Sequence, residues 1–245
     1  DAYVDHPSFG TALIGRILEK EGFSVGIISQ PDWRQERSIQ IYGEPRLAFL
    51  VGSGNIDSMV NNYTASKRPR RTDEYSPGGK SGFRPDRALS VYVDMVKKSY
   101  PNTPVVIGGI EASLRRFAHY DYWSDIIMPS ILVDTQADML LYGMSETQIK
   151  TLAHGLAKGW PIHKIKDIPG TCYMSRSLPK GNKYTLISSF EDVSTEKIKF
   201  AEAFQIQSRE QNPFIGSTLV QKHGDLYLVQ LPPAKPHQRH LTFMR

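Results

Sequence analysis

Hydrophobic residues in the first 160 positions follow two alternating patterns. One is an apolar stripe at helical spacing, as in Leu13, Ile14, Ile17 and Leu18. The other is a short continuous apolar run bounded by glycine or proline, which is typical of a buried strand. Helical and strand patterns that alternate along a chain indicate a parallel sheet with helices on both faces. We therefore predict a doubly wound α/β domain over residues 1–160.

The individual elements follow from these patterns. The predicted strands are 23–28, 47–51, 104–109 and 137–143, with 130–133 as a further short candidate. The predicted helices are 8–22, 56–60, 86–100 and 145–156. Ser145 and Gln148 have the spacing of a capping box at the start of the last helix.

The pattern changes after Trp160. Prolines and glycines then separate shorter elements, which are a strand at 184–188, a helix at 194–207 and a β-hairpin over 218–230. We interpret residues 161–245 as a smaller mixed α+β extension of the first domain.

Two of the predicted strands run into glycine-rich turns. Gly52, Ser53, Gly54 and Asn55 follow the strand at 47–51, and Gly108 and Gly109 end the strand at 104–109. Ligands bind at the carboxyl ends of strands in open α/β sheets, and a helix that starts there can hold an anion. The first turn is not the G-x-G-x-x-G fingerprint of dinucleotide-binding proteins, so the pattern indicates a binding edge without naming its ligand.

The residues after the second turn add charged and aromatic side chains to this edge. Arg115 and Arg116 suit either an internal ion network or a carboxylate or phosphate ligand. We predict a ligand- or domain-interface edge made of Asp5, His6, Gly52, Ser53, Gly54, Asn55, Gly108, Gly109, Glu111, Arg115, Arg116, His119, Tyr120 and Asp121. The alternative interpretation is a structural loop whose aromatic residues anchor it to the sheet. Catalytic residues remain unassigned.

The positive charge is concentrated in one segment. The whole chain has a formal net charge of +5, and residues 66–87 carry seven basic against three acidic side chains, a net charge of +4. We call residues 66–87 the basic segment. Its local charge indicates a local anionic partner. Tyr63, Tyr75 and Phe83 are interleaved with the cations, so RNA binding by stacking and phosphate contact is a further hypothesis.

Composition excludes several classes of protein. Cys172 is the single cysteine, which excludes an intrachain disulfide and an iron–sulfur cluster held by this chain alone. No apolar window reaches the length of a membrane span, and the first residues have no signal-peptide pattern. We predict a cytoplasmic protein with no membrane partner and no metal site in this chain.

Several sequence stretches together resemble one known family. The chain is similar to the N-terminal region of the YgiQ-like radical SAM proteins. The resemblance is carried by YVDHPSFG at 3–10, QPDW at 30–33, NIDSMVN at 55–61, YSPGG at 75–79, GGIEASLRR at 108–116, HYDYWSD at 119–125 and QNP at 211–213. It extends over most of the 245 residues.

This resemblance implies a place in a larger enzyme. Family members carry a radical SAM barrel after this region, with a C-x3-C-x2-C loop that ligates a [4Fe–4S] cluster and cleaves S-adenosylmethionine. This chain lacks that motif, so we expect the barrel to lie outside it or to be lost. The first residue is not Met, which indicates a segment of a longer protein. The implied role is an accessory domain that binds substrate or shields the radical site and is not catalytic alone. The alternative is a free-standing binding module for an anionic ligand or RNA.

The implied architecture is Rossmann- or flavodoxin-like and resembles cobalamin-binding-type domains. In those domains the loop that supplies the lower ligand reads D-x-H-x-x-G, whereas Asp5, His6 and Gly10 read D-H-x-x-x-G. The spacing differs, so we do not expect cobalamin. A self-sufficient hydrolase or transferase is a weaker hypothesis, because no G-x-S-x-G nucleophile elbow is present. It would be built on Asp5, His6, His119, Asp121 and Asp125.

Overall fold

The computed structural model describes residues 10–180 and 183–235, and its main feature is a seven-stranded sheet. The sheet has the order β1-β2-β5-β6-β9-β8-β7. Its strands are β1 (Phe49–Gly52), β2 (Val105–Gly108), β5 (Met139–Leu141), β6 (Thr171–Ser175), β7 (Tyr184–Ile187), β8 (Thr218–His223) and β9 (Leu226–Gln230). A separate two-stranded ladder pairs β3 (His119–Asp121) with β4 (Ile126–Met128).

Helices flank this sheet. They are α1 (Gly10–Lys20), α2 (Ser58–Asn62), α3 (Ala88–Ser99), α4 (Gly109–Leu114), α5 (Ile131–Thr135), α6 (Glu146–Ala157), α7 (Phe190–Thr195) and α8 (Lys197–Arg209). Short 3-10 turns cover Glu36–Ile39, Pro77–Gly79 and Ile162–Lys164. The α/β class with a Rossmann-like sheet is confirmed.

Pairing in the sheet is mixed. The pairs β1–β2, β2–β5 and β7–β8 are parallel, whereas β5–β6, β6–β9 and β8–β9 are antiparallel. Within this sheet, β1, β2 and β5 precede residue 160 and form a parallel set, and the strands that follow residue 160 extend the same sheet. The division into units at residue 160 remains a proposal about how the chain folds.

Both faces of the central parallel strands β2 and β5 are buried, which explains their continuous apolar runs. Successive side chains of a strand point to opposite faces, so Val105 and Ile107 join one core cluster while Val106 joins the other. The first cluster includes residues of α3 and α5, and the second includes residues of α1 and α6. The two layers of helices thus cover opposite faces of one sheet.

Three local predictions were wrong. Residues 23–28 form no strand, because Phe23 and Val25 pack against the second cluster without a hydrogen-bonded neighbour strand. Residues 131–135 form helix α5, since the Ser130 hydroxyl accepts a hydrogen bond from the Leu132 amide at 3.2 Å and so caps it.

The capping box at α6 is the third error. The Ser145 hydroxyl donates to the Gly143 carbonyl, and the Gln148 amide donates to the Met144 carbonyl, so neither side chain caps the helix. The helix predicted at 194–207 is divided into α7 and α8, and Ser189 with Asp192 makes a true capping box at the start of α7. The predicted hairpin is confirmed as β8–β9.

Cys172 lies in the centre of the sheet on β6 and is fully buried. Burial raises the pKa of its thiol to about 12, so the reactive thiolate is scarce at neutral pH. We expect iodoacetamide to leave Cys172 unmodified in the folded chain and to alkylate it fully in guanidinium chloride, as measured by mass spectrometry. Rapid alkylation of the folded chain would contradict this burial.

Candidate functional site

The two predicted glycine turns meet at one edge of the sheet. Strands β1 and β2 run parallel in a register that pairs Gly52 with Gly108, so their carboxyl ends lie side by side. A Cβ atom at Gly52 would lie 3.6 Å from the Gly108 carbonyl oxygen, and one at Gly109 would lie 4.0 Å from that of Gly54. Gly54 and Gly109 both have a positive φ, which glycine adopts without strain. We call this region the carboxyl edge.

The Glu111 side chain connects the elements that surround the carboxyl edge. Its side chain is completely buried, and its carboxylate accepts hydrogen bonds from the Ser58 amide at 2.8 Å and the Leu89 amide at 3.1 Å. These amides belong to the first turns of α2 and α3, where backbone donors lack partners within the helix. The Arg115 guanidinium supplies the compensating charge at 2.9 Å. Glu111 therefore joins three helices at one point.

Arg115 completes an internal ion network. Its guanidinium also pairs with the Asp57 carboxylate at 2.7 Å, and the other carboxylate oxygen of Asp57 accepts from the amides of Met59 and Val60. Asp57 is thus the N-cap of α2. The sequence suited either an internal ion network or a carboxylate or phosphate ligand at Arg115, and in the structure Arg115 lies in an internal ion network.

Arg116 points into a different part of the molecule. Its Nε atom donates to the Gln230 side-chain oxygen at 2.6 Å, and its guanidinium lies 5.2 Å from the centre of the Tyr142 ring. Strand β9 supplies Gln230, so Arg116 connects the end of α4 to the extension of the sheet. The two adjacent arginines therefore have separate structural partners.

Part of the basic segment folds inward onto the carboxyl edge. Arg84 is buried, donates to the Ser53 carbonyl at 2.8 Å and lies 3.5 Å from the Asp73 carboxylate. Burial lowers the pKa of the Arg84 guanidinium below its ordinary value. The cations that remain exposed to solvent are Lys67, Arg68, Arg70, Arg71 and Lys80.

Arg87 is held beside the β3–β4 ladder. It donates to the Asp121 carboxylate at 2.7 Å and to the Ser124 hydroxyl at 2.8 Å. Burial alone would raise the pKa of Asp121, but hydrogen bonds from Ser124 and the Arg87 charge hold it below its ordinary value. Asp121 therefore acts as a fixed anion that orients Arg87.

The other candidate proton-transfer groups also have structural partners. The His119 Nδ1 atom lies 3.1 Å from the Phe117 carbonyl oxygen, and burial lowers the pKa of this imidazole. The Tyr120 hydroxyl donates to the Asp125 carboxylate at 2.6 Å, and the Ser113 hydroxyl donates to the Gly109 carbonyl. Asp5 and His6 lie outside the described residues. No catalytic assignment follows from these contacts.

A cavity of about 290 Å³ lies beside these groups and was missed in the sequence prediction. Its lining residues are Met59, Tyr63, Lys67, Arg87, Trp123 and Ser124. We call it the aromatic pocket. The available sequence signals were the basic segment and the aromatic cluster near Trp123, but these are far apart along the chain. Only their contact in the folded chain reveals a shared cavity.

The residues present do not match the iron–sulfur cluster that the family resemblance implies. Such a cluster needs several thiolates, and the single cysteine is buried within the sheet. Over 10–180 and 183–235, no group of three His, Cys, Asp or Glu side chains is placed to hold a metal ion. In the same ranges, no helix has the length and apolar character needed to cross a membrane.

Comparison with known proteins finds close relatives that are much longer. A UPF0313 protein of Clostridium botulinum strain 657 is 56% identical over 236 residues, which cover 96% of this chain and 37% of that protein. UPF0313 proteins of Methanocella arvoryzae and Clostridium perfringens strain SM101 are 53% and 52% identical, and the matches cover 39% and 36% of their lengths. No solved structure matches the chain.

The family comparison agrees with the motifs read from the sequence. Residues 1–242 match the family described as radical SAM N-terminal, which leaves three of the 245 residues unmatched. The match includes the glycine turns, the Glu111 network and the aromatic pocket. The chain belongs to the radical SAM N-terminal family.

Proposed function

We propose that this chain is the accessory N-terminal domain of a radical SAM iron–sulfur protein. In this role the carboxyl edge helps to bind substrate or to shield the radical site from water, and the domain catalyses no reaction alone. The observation that carries the proposal is the family match over residues 1–242 in a chain that spans 37% of its relative's length.

Exposed apolar side chains support packing against a further domain. Ile198 and Phe204 on α8 are 72% and 64% exposed, and Phe214 and Ile215 in the following loop are 67% and 78% exposed. Large exposed apolar groups that occur together often mark interaction surfaces. Gly216, next in the chain, lies against Pro233 near the last described residues.

In the proposed protein, the cofactors and this domain have different chemical tasks. A bound cluster with S-adenosylmethionine would supply the radical, and the cofactor would perform the redox chemistry. The residues of this domain would bind and orient the substrate, and they would exclude water from the radical site. The glycine turns support this role, since they let the backbone approach a ligand closely at the edge where α/β sheets bind ligands.

The test uses the uninterrupted gene, extended to the length of the relatives and expressed without oxygen. We expect the purified protein to contain iron and to have a visible absorption band that changes when S-adenosylmethionine is added. If the protein contains no iron after cluster reconstitution, the proposed function is wrong.

A second arm tests whether the role is accessory. Lys67→Ala changes an exposed side chain of the aromatic pocket, and Tyr120→Ala changes an exposed side chain of the predicted edge. We expect both variants to keep the iron content and the response to S-adenosylmethionine, because this domain does not hold the cofactors. Loss of iron in either folded variant would show that the domain participates directly in cofactor binding and would overturn the accessory assignment.

The exposed cations of the basic segment favour one second candidate, a free-standing binding module for an anionic ligand or RNA. Clustered positive charge attracts phosphate, and nearby aromatic rings can stack on bases. A full-length protein without iron would favour this candidate over the first.

A further inference from the structure

The rings of Tyr63 and Trp123 form one wall of the aromatic pocket, and Tyr122 packs against Trp123. The ring centres of Tyr63 and Trp123 are 5.3 Å apart, and Tyr122 meets Trp123 edge-on at 5.2 Å. Hydrogen bonds fix the two tyrosines, because Tyr63 donates to the Asp86 carboxylate and Tyr122 donates to the Ala65 carbonyl, each at 2.6 Å. Each of these tyrosines is therefore oriented by a hydrogen bond to another part of the chain.

Two cations stand beside this wall. The Lys67 Nζ atom lies 4.8 Å from the centre of the Tyr122 ring and donates to the Trp123 carbonyl at 3.3 Å. Among the described residues Lys67 has no carboxylate within ion-pair distance. Arg87 uses one terminal nitrogen for Asp121 and Ser124. Within the described part of the chain, the pocket thus holds one cation with no carboxylate partner and one oriented by the buried Asp121 carboxylate.

The backbone at both cations is strained. Lys67 has φ +58° and Arg87 has φ +49°, in the left-handed region that residues with a Cβ atom rarely adopt. In the described ranges the non-glycine residues with positive φ are Gln30, Lys67, Arg87, Asp125 and Gln136. Strain of this kind is concentrated at ligand clamps and active sites. Two of these five residues supply the cations of one cavity.

We propose that the aromatic pocket binds a nucleotide. Its base stacks on the Trp123–Tyr63 wall, and its phosphate meets Lys67 and Arg87, while the buried Met59 provides an apolar floor. A volume of about 290 Å³ is near the lower end of cavities that hold small ligands. A free nucleotide and a nucleotide within single-stranded RNA share this chemistry. The inference rests on the proposed role of the domain in holding substrate and names the substrate class.

The experiment measures binding of AMP and UMP by calorimetry, and of a short fluorescent oligoribonucleotide by anisotropy, to the full-length protein without S-adenosylmethionine. We expect saturable binding that weakens as salt is raised, since phosphate contacts depend on ionic strength. Trp123→Ala and Lys67→Ala are each expected to weaken binding roughly 10-fold, whereas Trp123→Phe keeps an aromatic face and most of the affinity. Preference for the oligoribonucleotide would identify RNA as the source of the nucleotide.

A matched control lies elsewhere on the surface. The Lys158 Nζ atom is 5.6 Å from the centre of the Trp160 ring, which is a second lysine–tryptophan pair outside any described cavity. Trp160→Ala is expected to leave binding unchanged. The proposal is overturned if none of the three probes binds at millimolar concentration, or if Trp123→Ala and Lys67→Ala bind the probes as tightly as the wild-type protein does.

The iron and absorption measurements on the same preparations separate the two proposals. Iron without nucleotide binding would retain the accessory role and remove the nucleotide pocket. Nucleotide binding without iron would overturn the proposed accessory role and support the pocket within a free-standing binding module. Circular dichroism of each variant establishes that lost affinity does not reflect unfolding.

Discussion

Replacing Glu111 with alanine is expected to reduce the free energy of unfolding by about 3–5 kcal/mol. The carboxylate is completely buried and accepts from two helix N-terminal amides. Its removal leaves these donors unsatisfied and takes one of two anionic partners from the Arg115 guanidinium. Urea unfolding of the 245-residue chain, followed by circular dichroism, measures the change.

Two further variants separate burial from charge. Glu111→Gln keeps the size of the side chain and one acceptor oxygen, so its effect is expected to lie between those of the wild type and Glu111→Ala. Glu202→Ala removes an exposed carboxylate that is paired with Lys199 at 3.5 Å, and it is expected to change the unfolding free energy by less than about 0.5 kcal/mol. Similar effects of Glu111→Ala and Glu202→Ala would argue against a structural role for the buried network.

His223 is expected to make the fold sensitive to mild acid. Its imidazole is buried, stacks on Phe190 with ring centres 5.5 Å apart, and lies 3.2 Å from the Gln221 side-chain oxygen. Burial lowers the pKa of His223 to about 4, whereas the charge of Glu191 acts weakly in the opposite direction. The folded chain therefore binds this proton less readily than the unfolded chain does.

The sign of the pH effect follows directly. Between pH 6.5 and pH 4 the unfolded state carries more protons at His223, so stability falls as the pH falls through this window. The full effect is about 3 kcal/mol, because each pKa unit corresponds to about 1.4 kcal/mol. His223→Phe keeps the ring stack and removes the titrating group, so its unfolding free energy should fall less between pH 7 and pH 4.

Urea unfolding of the wild type and of His223→Phe at several pH values gives the test. Many carboxylates titrate in the same range, so the difference between the two curves isolates the contribution of His223. The expected difference grows as the pH falls below 6.5. If the unfolding free energies of the two proteins change in parallel from pH 7 to pH 4, protonation of His223 does not destabilise the fold.

Periodicity was sufficient for elements with a strong local signal. The stripe of α3 and the apolar run of β2 were recognised because each has one regular period over its whole length. Residues 23–28 and 130–133 are short apolar runs, and such runs have the same pattern in a strand, a helix or a packed loop. In these places the neighbours in the folded chain decide the conformation, since they provide or withhold hydrogen-bonding partners.

Some features of the candidate site were likewise predictable from the sequence, and others were not. The glycine turns were predictable, because a strand that ends in glycine has a local signature and parallel strands share an edge. The roles of Arg115 and Arg116 were not, since adjacent side chains of the same type reach Asp57 in one case and Gln230 in the other. Their partners are determined by the packing of α4 against β1, β2 and β5.

The sequence by itself determined the family, the α/β class and the place of the carboxyl edge, because motifs, apolar periods and turn residues are local properties. The tertiary structure alone decided which charges are buried in ion pairs and which line a cavity. Glu111 meets Ser58 across 53 positions, and Lys67 meets Trp123 across 56. Contacts of such long range depend on the geometry of the whole sheet, which no local pattern encodes.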